Sequence, residues 1–253
     1  MNRGIVIVTV ILALSLNLGF ISSGQVHAST GSTGIVVPLY TYPTSDSWST
    51  LISIKQSHPS VPIIAVINPN NGPGTSMDSK YLSGIKQLQA AGITVLGYVH
   101  TSYGSRSTRL VEREMSIYKN WYGVNGIFFD EMGSSGVTLR YYAVLANYSK
   151  QLNFAVTMGN PGKVVSTNLV GVFTNLCIYE NQNMPKVSDV DGLSSYGKVH
   201  FSYIAYGVSG IPDQSTIQNT ANYVGYLYIT DLSGSNPYNG LPSYLAGVVS
   251  SLD

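Results

Sequence analysis

Residues Gly126-Ile127-Phe128-Phe129-Asp130-Glu131 form an uninterrupted apolar run that ends in two acids. A strand with one buried face alternates apolar and polar residues, whereas a strand of a parallel sheet is buried on both faces and is apolar throughout. The run therefore predicts a buried parallel strand that carries its acids at the carboxyl end.

Seven further runs have the same character: they are rich in Ile, Val, Tyr or Phe and are bounded by Gly, Pro or Asn. In chain order the eight predicted strands are Gly34–Tyr40, Pro62–Asn68, Thr94–His100, Gly126–Glu131, Phe154–Gly159, Asn175–Glu180, Val199–Tyr206 and Tyr223–Thr230. Segments with helical periodicity lie between most of them, at Asp46–Gln56, Ser79–Ala91, Ser105–Trp121, Val137–Leu152, Asp213–Asn222 and Leu241–Leu252. The connections after the fifth and sixth strands are too short and irregular to predict helices.

This alternation of strands and helices predicts an α/β protein with a single compact (β/α)8 TIM barrel, some of whose βα units lack a full helix. The alternative is an open doubly wound sheet, which would carry a glycine-rich phosphate-binding turn after its first strand. That position holds Pro38-Leu39-Tyr40-Thr41-Tyr42-Pro43 instead, so the barrel is favoured.

The amino-terminal segment has the pattern of a secretory signal peptide. Arg3 precedes an apolar run from Gly4 to Phe20, and a polar stretch then ends in the small residue Ala28. We expect cleavage after Ala28, which gives a signal peptide over residues 1–28, a barrel domain over residues 29–253 and a secreted, extracellular protein. An uncleaved membrane anchor is the alternative; after cleavage we expect no membrane association.

The charge balance excludes several classes of function. Only 10% of the 253 residues are charged, and 13 basic against 12 acidic residues give a net charge of +1. Nucleic-acid binding needs a basic face, so we expect no nucleic-acid partner. The single cysteine, Cys177, has no partner for a disulfide within the chain and lies in an apolar run, which favours a buried, inert thiol.

Because the active sites of TIM barrels lie at the carboxyl ends of the strands, strand ends can be used to sort the twelve acids. Eight lie in helices, caps, loops away from strand ends or the terminus: Asp46, Asp78, Glu112, Glu114, Asp189, Asp191, Asp213 and Asp253. Four remain near one mouth, namely Asp130, Glu131, Glu180 and Asp231.

Amides and phenols occupy the remaining strand ends, with few cations apart from His100 and Arg106. Tyrosine rings stack on sugar rings, and amides and phenols bind hydroxyls, so we expect a polysaccharide or oligosaccharide partner. The candidate substrate-binding residues are Tyr40, Tyr42, Asn68, Asn70, Tyr98, His100, Tyr103, Asn160, Tyr179, Tyr206 and Asp231.

Cleavage of a glycosidic bond needs one protonated and one ionised carboxyl group, and neighbouring acids favour that division. No zinc motif, phosphate loop or serine-nucleophile motif is present, and we expect neither a metal nor another cofactor. Two alternatives remain open: a sugar-binding barrel without catalysis, and a metal-dependent polysaccharide deacetylase.

Several strings resemble the spherulin-4 family, also called spherulation-specific family 4, which includes glycoside hydrolase family 135. They occur in order at successive strand ends: Val37-Pro38-Leu39-Tyr40, Ile67-Asn68-Pro69-Asn70-Asn71-Gly72-Pro73-Gly74, Gly97-Tyr98-Val99-His100-Thr101-Ser102-Tyr103-Gly104, Gly126-Ile127-Phe128-Phe129-Asp130-Glu131 and Gly159-Asn160-Pro161-Gly162. The similarity spans roughly residues 34–232.

The resemblance implies a barrel that hydrolyses α-1,4-linked N-acetylgalactosamine in exopolysaccharide of the galactosaminogalactan type. The family's catalytic Asp-Glu pair corresponds to Asp130 and Glu131, and its later Glu to Glu180. We expect an endo-acting, monomeric enzyme in which Asp130 is nucleophile or charge stabiliser, Glu180 is general acid/base and Glu131 tunes a pKa or binds hydroxyls. A variant mechanism uses the N-acetyl group of the substrate as nucleophile.

Overall fold

The structure, a computed structural model, describes Met1 and residues 31–253, so the predicted signal peptide lies outside the described residues apart from Met1. Eight strands form a closed parallel barrel in chain order, β1 to β8. Their bounds are Gly34–Leu39, Ile63–Ile67, Thr94–His100, Gly126–Asp130, Val156–Gly159, Asn175–Gln182, Phe201–Tyr206 and Tyr226–Ile229. The predicted (β/α)8 barrel is confirmed, and each strand end lies within three residues of its predicted position.

Six α-helices, α1 to α6, surround the barrel in the described part of the chain, at Asp46–Ser57, Ser79–Ala90, Thr108–Ile117, Leu139–Gln151, Gln214–Ala221 and Leu245–Ser250. The units after β5 and β6 contain only short 3-10 turns, as the sequence predicted. None of the described helices is both long and apolar enough to cross a membrane.

Alternation along the strands determines which side chains face the barrel axis. The interior cluster consists of even-numbered positions, and its buried members are Val36, Ile64, Val66, Leu96, Tyr98, Phe128 and Met158. A second, larger cluster fills the space between the barrel and the helices. The inward alternation continues to the carboxyl ends of the strands, so Asp130, the last residue of β4, and Asn160, the first residue after β5, also point toward the axis.

A β-bulge in β6 breaks this alternation at one place. Cys177 pairs with Ser202 of β7, but Tyr179 pairs with Tyr203, so Ile178 is one extra residue on the β6 side. Glu180 is therefore opposite Ile204, on the same face as Cys177 although it is three positions further along the strand. Bulges of this kind redirect side chains and are frequent beside active sites.

Candidate active site

Two of the predicted catalytic carboxyl groups meet at the carboxyl end of the barrel, and a single amide joins them. The Asn160 Nδ2 atom donates one hydrogen bond of 2.8 Å to Asp130 Oδ1 and a second to Glu180 Oε2. Asn160 is itself held, because its Oδ1 atom accepts from the Gly162 amide at 3.1 Å. The first residue after β5 therefore fixes the carboxyl groups of β4 and β6 relative to each other.

Tyrosine hydroxyls occupy the remaining oxygens of the two carboxyl groups. The Tyr98 hydroxyl donates to Asp130 Oδ2 at 2.8 Å, and the Tyr238 hydroxyl donates to Glu180 Oε1. The Tyr40 ring lies between these phenols in edge-on contact with both, with centroid distances of 5.7 Å to Tyr98 and 5.6 Å to Tyr238. Each carboxyl group thus accepts a hydrogen bond from the Asn160 side chain and one from a phenol, and Tyr40 packs against both phenols.

Burial raises the pKa of Asp130, and hydrogen bonds from the Glu131 backbone, Tyr98 and Asn160 oppose that rise. Burial also raises the pKa of Glu180, and the charge of Asp130 raises it further, while Asn160 and Tyr238 act in the opposite direction. Among the ion pairs of the described residues, none involves either carboxyl group. Two partly buried acids that share a donor without a cation favour a state in which they hold one proton between them.

Glu131 is separated from this pair by its backbone conformation. Its φ of 51° lies in the left-handed region, which a residue with a side chain adopts at a cost and which recurs at functional sites. Its side chain is 41% exposed, and its Oε2 atom lies 3.5 Å from His100 Nδ1. His100 also lies 3.3 Å from the Ser102 hydroxyl. Glu131 and His100 therefore form a second polar pair at the rim of the mouth.

Backbone and side-chain hydrogen bonds hold the loops after β3, β4 and β5 together. The Thr101 and Tyr103 amides donate to the carbonyls of Asp130 and Glu131, at 2.9 Å and 2.7 Å. The buried Thr101 hydroxyl donates to the Glu131 carbonyl at 2.9 Å and contacts Tyr142. This network fixes the left-handed turn at Glu131 and, with it, the direction of the Asp130 side chain.

Other predicted binding residues lie apart from the carboxyl pair. The Tyr42 hydroxyl donates to Asp78 at 3.0 Å, and its ring packs against Tyr81. Asn68 orders its own loop, because its Oδ1 atom accepts from the Gly72 amide. Tyr179 closes another loop by donating to the carbonyls of Gln182 and Asn183.

The remaining candidates lie at the periphery of the mouth. Tyr103 is 68% exposed, and Asn70 and Asp231 are also exposed. Tyr206 ends β7 and is partly buried beside Gln182. Arg106, the cation expected near the site, is engaged in an ion pair with Glu114 on α3. The structure therefore gathers Tyr40, Tyr98 and Asn160 around the pair and leaves the others on loops or at the rim.

Tyr238 is a site residue that the sequence analysis missed. It lies in the segment between β8 and α6, nine positions after the last residue of β8, and only 9% of it is exposed. The sequence does indicate a site residue here, because Tyr238 is an aromatic residue in the turn-forming string Asn236-Pro237-Tyr238-Asn239-Gly240. That string follows the carboxyl end of a barrel strand, where active-site loops lie.

Comparison with known proteins places this architecture in a family. The model of spherulation-specific family 4 matches residues 34–252, which is most of the chain. The chain belongs to this family. Spherulin-4 of Physarum polycephalum is 34% identical over 238 residues, which cover 86% of this chain and 69% of that protein.

Solved structures share the barrel. The crystal structure of Aspergillus clavatus Sph3 in complex with GalNAc superposes with a TM-score of 0.81 at 23% identity, over 89% of this chain and 99% of that one. An aldolase from Escherichia coli superposes with a TM-score of 0.54 at 13% identity, over 80% and 76%. Because barrels of this shape support unrelated chemistries, these likenesses establish the fold, and the function must be argued from the site.

Proposed function

We propose that this member of spherulation-specific family 4 is a secreted, endo-acting glycoside hydrolase that cleaves an amino-sugar exopolysaccharide of the α-1,4-linked N-acetylgalactosamine type. The observation that carries the proposal is the Asn160 bridge, which holds Asp130 and Glu180 together in a tyrosine-lined mouth. Two partly buried carboxyl groups without a cation have raised pKa values, and such arrangements concentrate at catalytic sites. The Sph3 complex with GalNAc supports the choice of sugar.

The hydrogen bonds favour Asp130 as nucleophile and Glu180 as general acid/base. Backbone, phenol and amide hydrogen bonds all stabilise ionised Asp130, whereas the neighbouring charge of Asp130 favours the protonated form of Glu180. In the first step Asp130 attacks the anomeric carbon while the glycosidic bond breaks and Glu180 gives its proton to the departing oxygen. In the second step water attacks the glycosyl ester, its proton passes to Glu180 and Asp130 is released.

The spacing of the carboxyl groups supports retention of anomeric configuration. Two acceptors on the two hydrogens of one amide nitrogen lie roughly 5 Å apart at ordinary hydrogen-bond lengths. Retaining glycosidases separate their carboxyl groups by about 5–5.5 Å, and inverting ones by about 6.5–9.5 Å to admit a water. The bridge by Asn160 therefore favours a covalent intermediate on Asp130.

An α-linked substrate argues against the N-acetyl group as nucleophile. In α-linked N-acetylgalactosamine the leaving oxygen and the 2-acetamido group are on the same face of the ring. The acetamido oxygen therefore cannot approach the anomeric carbon from the side opposite the leaving group, and a protein carboxylate must do so. Asp130 provides that carboxylate, and Glu131 with His100 is placed to bind hydroxyl or amide groups at the rim.

The test is a digestion of polysaccharides rich in N-acetylgalactosamine, read by the masses of released oligosaccharides. We expect Asp130→Asn and Glu180→Gln each to lower the rate at least about a hundredfold. The matched control is Glu112→Gln, the same carboxyl-to-amide change on α3, which should retain wild-type activity. Proton NMR during digestion should show the α-anomer of the new reducing end first.

The alternatives give different outcomes in the same assay. Binding of the polysaccharide without any released oligosaccharide would favour a sugar-binding barrel. Loss of acetyl mass without chain cleavage, abolished by a chelator, would favour the deacetylase. Full activity of both Asp130→Asn and Glu180→Gln would refute the catalytic assignment.

Export is a separate part of the proposal. Its basis is the sequence pattern of residues 1–28, and the chain recovered from culture medium should begin at Ser29. An intact amino terminus in the membrane fraction would indicate the anchor instead.

A further inference from the structure

Tyr238 contacts the general acid/base of the proposed mechanism directly. Its hydroxyl donates to Glu180 Oε1, its ring packs edge-on against Tyr40, and it is almost fully buried. The Glu180 Oε2 atom is already occupied by the Asn160 amide. Each oxygen of Glu180 therefore accepts one hydrogen bond, and the two donors come from distant parts of the chain.

These two donors differ in what they can do when Glu180 takes up a proton. The NH2 group of Asn160 can only donate, so a proton on Oε2 pointing toward it would meet another hydrogen. A tyrosine hydroxyl can donate or accept. When Oε1 carries a proton, the Tyr238 hydroxyl can rotate so that its own hydrogen no longer points at Oε1. The catalytic proton therefore belongs on Oε1, the oxygen that Tyr238 holds.

The titratable groups that face Glu180 come from several elements. Asp130 extends from β4, Tyr40 follows β1, Tyr98 lies on β3, Cys177 precedes Glu180 on β6, and Tyr238 enters from the segment after β8. The phenols and the thiol remain neutral, because burial raises the pKa of each. Asp130 is thus the one neighbouring charge in this set, and Tyr238 is the one member that donates a hydrogen bond to Glu180.

We propose that Tyr238 is a positioning residue for the acid/base: its hydroxyl directs the catalytic proton to Glu180 Oε1 and stabilises the carboxylate once that proton has left. This inference rests on the proposed function. In the first step the proton leaves Oε1 for the glycosidic oxygen, and the Tyr238 hydroxyl turns to donate to the new carboxylate. In the second step Oε1 takes a proton from water and the hydroxyl turns away.

The direct test is the pKa of Glu180 in Tyr238→Phe, which keeps the buried ring and removes only the hydroxyl. The chain has four glutamates, namely Glu112, Glu114, Glu131 and Glu180. Carboxyl 13C labelling of Glu therefore gives few signals, and the signal missing from Glu180→Gln belongs to Glu180. Loss of one hydrogen bond to the carboxylate should raise its pKa by about one unit. Repeating the titration in the Asp130→Asn background removes the neighbouring group that titrates with Glu180.

The matched control is Tyr244→Phe in the same segment. The Tyr244 hydroxyl donates to the Val208 carbonyl at 2.8 Å, and Tyr244 is not among the groups that face Glu180. Its removal should leave the Glu180 pKa at the wild-type value. An equal rise in both variants would show that a general loosening of the segment is responsible and would overturn the inference, as would an unchanged pKa in Tyr238→Phe.

The pH dependence of kcat/KM provides a second readout, and a purely structural role of Tyr238 would leave it unchanged. The descending, alkaline limb of kcat/KM reports deprotonation of the acid, so in Tyr238→Phe it should move about one pH unit upward. A smaller kcat with a smaller KM is also expected, since Glu180 is then a less well oriented base for the second step and the intermediate accumulates. An unmoved alkaline limb would overturn the inference.

The two proposals fail in distinguishable ways. If wild-type protein cleaves no glycan but Tyr238→Phe still raises the Glu180 pKa, the hydrolase proposal is wrong and the hydroxyl is shown to control this carboxyl group. If the glycan is cleaved and the Glu180 pKa does not change, the hydrolase proposal stands and the role of Tyr238 is refuted.

Discussion

The Asn160 bridge predicts an unusual pH dependence of stability for the variant Asn160→Ala. This substitution removes two hydrogen bonds to partly buried carboxyl groups and one acceptor for the Gly162 amide. Hydrogen bonds to charged groups contribute about 1.5–3 kcal/mol each, and neutral ones about 0.5–1.5 kcal/mol. The cost should therefore depend on whether Asp130 and Glu180 are ionised.

The sign follows from the folded-state pKa values. Burial already raises the pKa of both carboxyl groups, and loss of the amide donor raises each of them further. The folded variant therefore keeps its protons to a higher pH than the folded wild type. Between the two sets of pKa values, the difference in free energy of unfolding between wild type and variant grows as pH rises and shrinks as pH falls. With Asp130 ionised and Glu180 protonated, we expect Asn160→Ala to lower the free energy of unfolding by about 2–4.5 kcal/mol at pH 7, and with both groups protonated by about 1–3 kcal/mol at pH 4.

Urea unfolding at the two pH values measures this difference, and Asn175→Ala is the matched control. Asn175 is equally buried, donates to the Val199 carbonyl at 3.0 Å and accepts from the Ser202 hydroxyl at 2.7 Å. Neither partner titrates, so its cost should be the same at pH 7 and pH 4. An equal cost of Asn160→Ala at both pH values would refute the argument that its amide stabilises charged carboxylates.

Two further predictions concern packing and the lone thiol. Gly97→Ala should lower the free energy of unfolding by about 1–3 kcal/mol, because a Cβ atom there would lie 2.5 Å from the Tyr118 ring. Gly192→Ala, with no atom within 4 Å of the added Cβ, should change it by less than about 1 kcal/mol in the same urea titration. Cys177 should resist iodoacetamide in the native state and react only after unfolding, because burial raises its pKa and the nearby Glu180 charge raises it further. Rapid stoichiometric labelling of the native protein would contradict that expectation.

Local sequence signals were sufficient for the barrel and for part of the site. Continuous apolar runs indicated parallel strands, and the rule that barrel chemistry lies at strand ends reduced twelve acids to four, among them Asp130 and Glu180. Side chains alternate strictly between the two faces of a strand, which explains why Tyr98 and Asn160 face the same interior as Asp130. Each of them follows an inward-facing residue of its own strand by an even number of positions. These features depend on residues close together in the chain, which is why the sequence could predict them.

Local sequence patterns predicted the eight strands, the closed barrel and the acids at its mouth. Three features of the site became visible only in the folded chain. A bulge at Ile178 turns Glu180 inward, a left-handed backbone moves Glu131 to the rim, and Tyr42 bonds Asp78 instead of facing the carboxyl pair. Folding also brought Tyr238 to Glu180 across 58 residues of chain. The physical reason is that side-chain alternation is a local property of a strand, whereas bulges and long loops adopt the conformation that satisfies hydrogen bonds with distant partners.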